Sequence, residues 1–176
     1  MKKLLVVLIL LTTPTFALAE PISKAGARNY YENCAAKQDP NMSANTQKLL
    51  CACTAVQMHQ KMTTQDVEAM TIQDARGRAA TNKMILEVYA PCMKHPAGEL
   101  SYKNCLGNPQ TASITENPEK TCQCMSSKIA NYLSTRGVDV FTKILNDNPN
   151  ATDPMAALAN DPNFQSFAQA QLVSCL

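Results

Sequence analysis

Between residues 47 and 62, small or apolar side chains recur at Cys51, Ala55, Met58 and Met62. That i, i+4, i+7, i+11 spacing places all four on one face of a helix. The same spacing returns as Cys122, Ser126, Ile129 and Leu133. A third stripe, Ile85, Val88 and Cys92, runs through NKMILEVYAPC (82–92), which Pro91 closes. Strand-type alternation is nearly absent, so the pattern predicts an all-α chain. Boundary signals agree. Asn117-Pro118, Asp153-Pro154 and Asp161-Pro162 each set an N-cap residue before a proline at the first helical position. Thr63 with Asp66 three residues on resembles a capping box and predicts a new helix there, with a bend or restart near Gly77.

The cysteines expose a duplication. They fall at 34, 51, 53 and 92, then at 105, 122, 124 and 175, so the spacing C-x16-C-x-C occurs twice. A shift of 71 residues superimposes Tyr31-Glu32-Asn33-Cys34 on Tyr102-Lys103-Asn104-Cys105, and Met62-Thr63-Thr64 on Leu133-Ser134-Thr135. A tandem repeat follows, with units at 20–97 and 98–176. Each unit of about 75 residues is small for a hydrophobic core alone, and disulfide staples are usual at that size. The expected unit is about three helices: one reaching Cys34, the Cys-x-Cys helix, and a last segment ending at Cys92. Under the repeat, Thr46 matches Asn117, which predicts that the first Cys-x-Cys helix starts near residue 47. The extra length of the second unit, NDNPNATDPMAALANDPNF, reads as an inserted loop.

The amino-terminal pattern assigns a compartment. Lys2 and Lys3 precede the apolar run Leu4–Leu11, and Ala17-Leu18-Ala19 fits a small-x-small cleavage site. Residues 1–19 are therefore expected to be a removable signal peptide, cut between Ala19 and Glu20, and the product periplasmic or secreted. No cysteine stands near that cut, and no later run approaches about 20 apolar residues, so no membrane anchor is expected. Lys2 and Lys3 account for the whole excess of 16 basic over 14 acidic residues. A nearly neutral mature chain without tryptophan gives no electrostatic or stacking basis for nucleic acid binding.

Eight cysteines in an exported chain predict disulfides. Residues i and i+2 of a helix point about 200° apart, so the two thiols of a Cys-x-Cys pair cannot bond each other without unwinding it. Diverging thiols instead let the middle helix reach the preceding helix with one cysteine and the following helix with the other. Cys51 and Cys92 both lie on apolar faces, which gives the expected pairing Cys51–Cys92 and Cys34–Cys53, with Cys122–Cys175 and Cys105–Cys124 in the second unit. Exchanging Cys51 with Cys53, and Cys122 with Cys124, stays open.

Other chemistry was weighed against this. Cys51, Cys53, Met58, His59 and Met62 form a soft-ligand set that would suit Cu(I). The repeat argues against a site: Met58, Met62 and Met70 align with Ile129, Leu133 and Phe141, and His59 with Ala130. Bulk is kept while ligand ability is lost, as core positions would show. Thiol exchange lacks a C-x-x-C motif, and two histidines (His59, His95) stand beside no nucleophile or acid motif. No phosphate-binding glycine pattern, HExxH or EF-hand loop is present. Asp66, Glu68 and Asp74 are spaced like a solvated helix face. No catalytic residue and no cofactor are expected.

LLCACTAVQM (49–58) and NKMILEVYAPC resemble the C…C-x-C…C repeats of small exported proteobacterial proteins. The resemblance covers the cysteine framework of both units and implies no activity. Rigid helices, export, duplication and the lack of a catalytic set instead lead to the expected function, a non-enzymatic binding module whose partner is another protein: an inhibitor, immunity or envelope-associated component. The alternative is a periplasmic metal or thiol carrier using Cys51, Cys53, Cys122 and Cys124. A third reading is a small apolar ligand held in the Met-rich first unit.

Overall fold

A computed structural model describes residues 19–176; the segment expected to be the signal peptide lies outside the described residues, apart from its last residue, Ala19. Among them the chain is all-α. Its α-helices are α1 (Lys24–Ala36), α2 (Ala44–Lys61), α3 (Thr64–Ala69), α4 (Ala75–Lys83), α5 (Lys94–Gly107), α6 (Pro109–Ile114), α7 (Pro118–Asp147), α8 (Pro154–Asn160) and α9 (Pro162–Val173). A π-helical stretch, Met84–Tyr89, and a 3-10 turn, Ala90–Cys92, join α4 to α5. The only extended pairing among the described residues is one bridge between Pro21 and Thr63.

Most helix starts are explained by a side chain that accepts the otherwise unpartnered first N–H groups. Asn117, Asp153 and Asp161 cap α7, α8 and α9, each followed by its proline. Thr63 and Asp66 form a reciprocal capping box that opens α3. Asp74 caps α4 through the N–H groups of Arg76 and Gly77, so the restart near Gly77 begins at Asp74. Helix α2 departs from expectation. It starts at Ala44, because Ser43 is the cap and its hydroxyl accepts the Thr46 N–H at 3.2 Å. Thr46 is thus inside the first turn.

The two units diverge after the Cys-x-Cys helix. In the first, Thr63 and Asp66 end one helix and start another; in the second, Ser134 and Gly137 stand at those positions. Glycine has no side chain to close a capping box, and α7 runs on unbroken for 30 residues, about 45 Å. Gly137 is also where α7 comes closest to the 3-10 turn: a Cβ there would lie 2.6 Å from the Ala90 carbonyl oxygen.

Two main cores share one strip of chain. Met58 of α2 and Met62, the residue that caps its end, pack with Ile22, Ala27, Met84 and Val88. Cys122, Met125, Ile129, Leu133, Phe141, Ile144 and Leu145 of α7 pack with Ile85, Ala90, Met93 and Ala97. Met84 and Ile85 are neighbours in sequence yet face different cores. The widened π-helical turn, in which Ala90 N–H reaches back to the Ile85 carbonyl, lies between them. The junction expected at residues 97 and 98 falls inside α5. The expected inserted loop is a correction: it holds α8, whose Leu158 is fully buried in the α7 core, along with Ala151.

Each unit is a middle helix stapled on both sides, but with the pairing exchanged. Cys34 bonds Cys51 and Cys53 bonds Cys92; Cys105 bonds Cys122 and Cys124 bonds Cys175. The expected Cys51–Cys92, Cys34–Cys53, Cys122–Cys175 and Cys105–Cys124 pairs are not formed. The reason is that the apolar face of α2 is covered by both neighbours, so burial does not say which neighbour a given cysteine meets. Position along the helix does. Gln47, one turn before Cys51, donates to the Cys34 carbonyl at 3.0 Å, which sets that ridge of α2 against the end of α1. Cys53 turns instead toward Met42, Leu50 and Cys92.

Candidate functional site

The cysteines and methionines of the soft-ligand set are engaged in the fold. Both sulfurs of Cys51-x-Cys53 are in disulfides, so neither is a thiolate ligand in this state. Met58 and Met62 lie in the core, and the His59 Nδ1–H donates to the Ile22 carbonyl. Among the described residues, no three His, Cys, Asp or Glu side chains come together as a metal site. No helix among them is long and apolar enough to cross a membrane. Four disulfides fit an oxidising, non-cytoplasmic compartment.

Of the acids expected on a solvated face, Glu68 is exposed, whereas Asp66 and Asp74 are put to structural use at helix starts. Asp66 accepts the N–H (2.9 Å) and hydroxyl (2.8 Å) of Thr63 and pairs with Lys83 at 2.6 Å. Burial works against its ionisation, but Lys83 and the Thr63 hydrogen bonds outweigh it and hold the carboxyl below its ordinary value. Glu99 does the corresponding job between units. Its carboxylate accepts the Ser43 N–H and hydroxyl, both at 2.6 Å, and meets Lys103 at 2.6 Å. Burial again opposes the charge, yet Lys103, Ser43 and Thr46 bring its pKa down to about 2. On the other side of the first unit, the hydroxyls of Tyr30 and Tyr89 meet at 3.1 Å, and burial with the Tyr30 neighbour pushes Tyr89 above the usual tyrosine range.

Two surface depressions are large enough to hold a ligand or a partner's side chains. The larger, about 460 Å³, lies around α8 and is lined by Asp147, Asn150, Asp153, Asn160 and Asp161. Two of its three acids are already committed: Asp153 caps α8 and Asp161 caps α9 through backbone N–H groups. The second, about 380 Å³, is a groove between α1 and α2. Its floor is Ala27, Ala52, Ala55 and Val56; Lys24, Arg28, Tyr31 and His59 rim it. Val56 is 53% exposed, and Leu49 two turns earlier is 43% exposed. These side chains form a second apolar stripe on α2, Leu49, Ala52 and Val56 at i, i+3 and i+7, pointing away from the core. Sequence reading missed it, because the stronger Cys51–Met62 stripe absorbed the helical periodicity. The spacing itself was available.

A rigid pair of helices with small side chains on its floor can accept apolar side chains of a third element, which is the chemistry of recognition rather than of bond making. Comparison with known proteins adds no assignment: no family model, curated protein or solved structure matches the chain.

Proposed function

We propose that this protein is a non-enzymatic, exported, disulfide-stapled helical module that binds another protein through the α1–α2 groove of its first unit. Release from a signal peptide between Ala19 and Glu20 would deliver it to the periplasm or beyond. The observation that carries the reading is the exposed apolar stripe Leu49, Ala52, Val56 beside an alanine floor. A partner that covers these side chains removes their apolar area from water, which favours association. The helices that form it are fixed by the Cys34–Cys51 bridge, so little ordering is lost on binding. The carrier alternative loses support because Cys51, Cys53, Cys122 and Cys124 are all bridged. The apolar-ligand reading loses support because Met58, Met62 and Met84 fill a core and none of them lines the groove.

The test places a photo-crosslinking residue at Val56 and, as control, at the repeat-equivalent Ser127, in the native exporting cell. A discrete adduct with one protein from position 56 and none from 127 is expected. Adducts absent from position 56, or equal at both positions, would contradict the assignment.

A further inference from the structure

We propose that the α1–α2 groove takes an acidic amphipathic helix of the partner protein, an inference that rests on the protein-binding assignment above. The duplication supplies the argument. The second unit has its own groove between α5 and α7, lined by Gly98, Glu99, Tyr102, Glu119, Gln123 and Ser126. A shift of 71 residues maps most of it onto the first: Gly98 on Ala27, Tyr102 on Tyr31, Gln123 on Ala52 and Ser126 on Ala55. The same surface has therefore been kept twice in shape and changed in chemistry. Where the first groove has alanines, the second has an amide and a hydroxyl. Where the first has Arg28, the second has Glu99. Lys48, one turn before Ala52 on the same face of α2, matches Glu119.

The reversal has a structural reason on one side only. Glu99 is consumed within the molecule, since it holds the start of α2 through Ser43 and pairs with Lys103. Arg28, Lys24 and Lys48 form no ion pair among the described residues. Three unpaired cations thus stand beside an apolar floor with no acid among the lining residues. An occupant that is apolar on one face and carboxylate-bearing on its flanks would complement both features. The groove follows α1 from Lys24 to Tyr31, two helical turns, which suits anchors at i, i+3, i+4 and i+7. The surface is two turns long and one interhelical furrow wide, which matches a single helix, whereas a bilayer would engage a wider face.

The test uses the oxidised exported protein and two helix-stapled synthetic peptides of about four turns. Both carry leucines at i, i+3, i+4 and i+7; one has glutamates on the flanks and its twin has lysines. The glutamate peptide is expected to bind and the lysine twin not. Val56→Asp should abolish binding, and Arg28→Glu with Lys48→Glu should weaken it about tenfold or more and favour the twin. Circular dichroism of each variant confirms that the fold is kept. Equal binding of both peptides, or of neither, alongside a protein adduct at position 56, overturns the acidic-helix inference and leaves the protein-binding reading standing. No adduct and no peptide binding defeats both. Tighter binding of phosphatidylglycerol vesicles than of the glutamate peptide, abolished by Val56→Asp, overturns the inference in favour of a membrane surface. A dimer in sedimentation that Arg28→Glu dissolves makes a second copy the occupant and overturns it too.

Discussion

Replacing Gly137 with alanine should destabilise the protein by up to about 2 kcal/mol, although alanine is the better helix former. Gly137 sits in the interior of α7, where alanine gains about 1 kcal/mol in helix propensity. Against this, the new Cβ would stand 2.6 Å from the Ala90 oxygen and 3.4 Å from its carbonyl carbon. The obstacle is backbone, not the end of a flexible side chain. It is also pinned: Ala90, Cys92 and Met93 are fully buried, and Cys92 is bridged to Cys53. Helix α7 must retreat by several tenths of an ångström, and overfilling a packed contact in this way costs about 1–3 kcal/mol. Gly107 provides the control. It ends α5, its φ is not positive, and a Cβ there meets nothing within 4 Å. Gly107→Ala should be neutral or stabilising by up to about 1 kcal/mol. Urea unfolding followed by circular dichroism, with the disulfides intact, measures both. A Gly137→Ala protein as stable as Gly107→Ala would refute the close approach of α7 to the 3-10 turn.

Three further outcomes are expected. Glu99 has an ordinary pKa of 4.5 and a folded value of about 2, so its stabilisation is present above pH 4.5 and is lost as pH falls toward 2. Because Lys103 is 47% exposed and screened, the effect is about 1–2 kcal/mol, and the stability gap between wild type and Glu99→Gln, followed by urea titration, should close between pH 5 and pH 2. Cys53→Ser, alkylated in denaturant without reduction, should label Cys92 while Cys34 stays protected; an alkylated Cys34 would restore the pairing of Cys53 with Cys34. Loop-closure entropy gives the Cys53–Cys92 bridge, 39 residues apart, about 3.9 kcal/mol, and the Cys34–Cys51 bridge, 17 apart, about 3.1. Both bridges in each unit join cysteines in chain order, so export into cells lacking a disulfide isomerase but retaining the oxidase should yield undiminished native protein; a large loss would argue for crossed intermediates.

The parts of the fold that were legible in the sequence are those governed by local chemistry. Asn117, Asp153 and Asp161 cap helices because a short side-chain oxygen accepts the first free N–H groups and the following proline has none to satisfy, and each does so in the structure. The face Cys51, Ala55, Met58, Met62 is buried throughout, because periodicity reports burial directly. Pairing was not legible. A buried face says that a cysteine is covered, not which of two covering helices holds its partner, and the Gln47–Cys34 contact that decides it is tertiary. The π-helical stretch was hidden for the same reason: Met84 and Ile85 face different cores, which only the assembled units create. Helix α8 was legible only at its start, Asp153-Pro154; its extent and its buried Leu158 were masked by the surrounding composition, since Asn, Asp and Pro signal both a loop and the caps of short helices. The groove was hidden by a stronger neighbour. Leu49, Ala52 and Val56 repeat at helical spacing, but a helix with two apolar stripes shows less contrast between its faces.

The stapled architecture, with each Cys-x-Cys pair divided between two neighbouring helices, is the claim on which the groove, the stability estimates and the non-cytoplasmic compartment all depend. Mass spectrometry with fragmentation of non-reduced peptides of the exported protein, alkylated in denaturant before and after reduction, tests it most directly, with Cys34–Cys51, Cys53–Cys92, Cys105–Cys122 and Cys124–Cys175 as the expected links. No alkyl group before reduction and eight after it is the predicted result. Alkylation of Cys51, Cys53, Cys122 or Cys124 without reduction would contradict it and return the Cys-x-Cys pairs to metal or thiol chemistry.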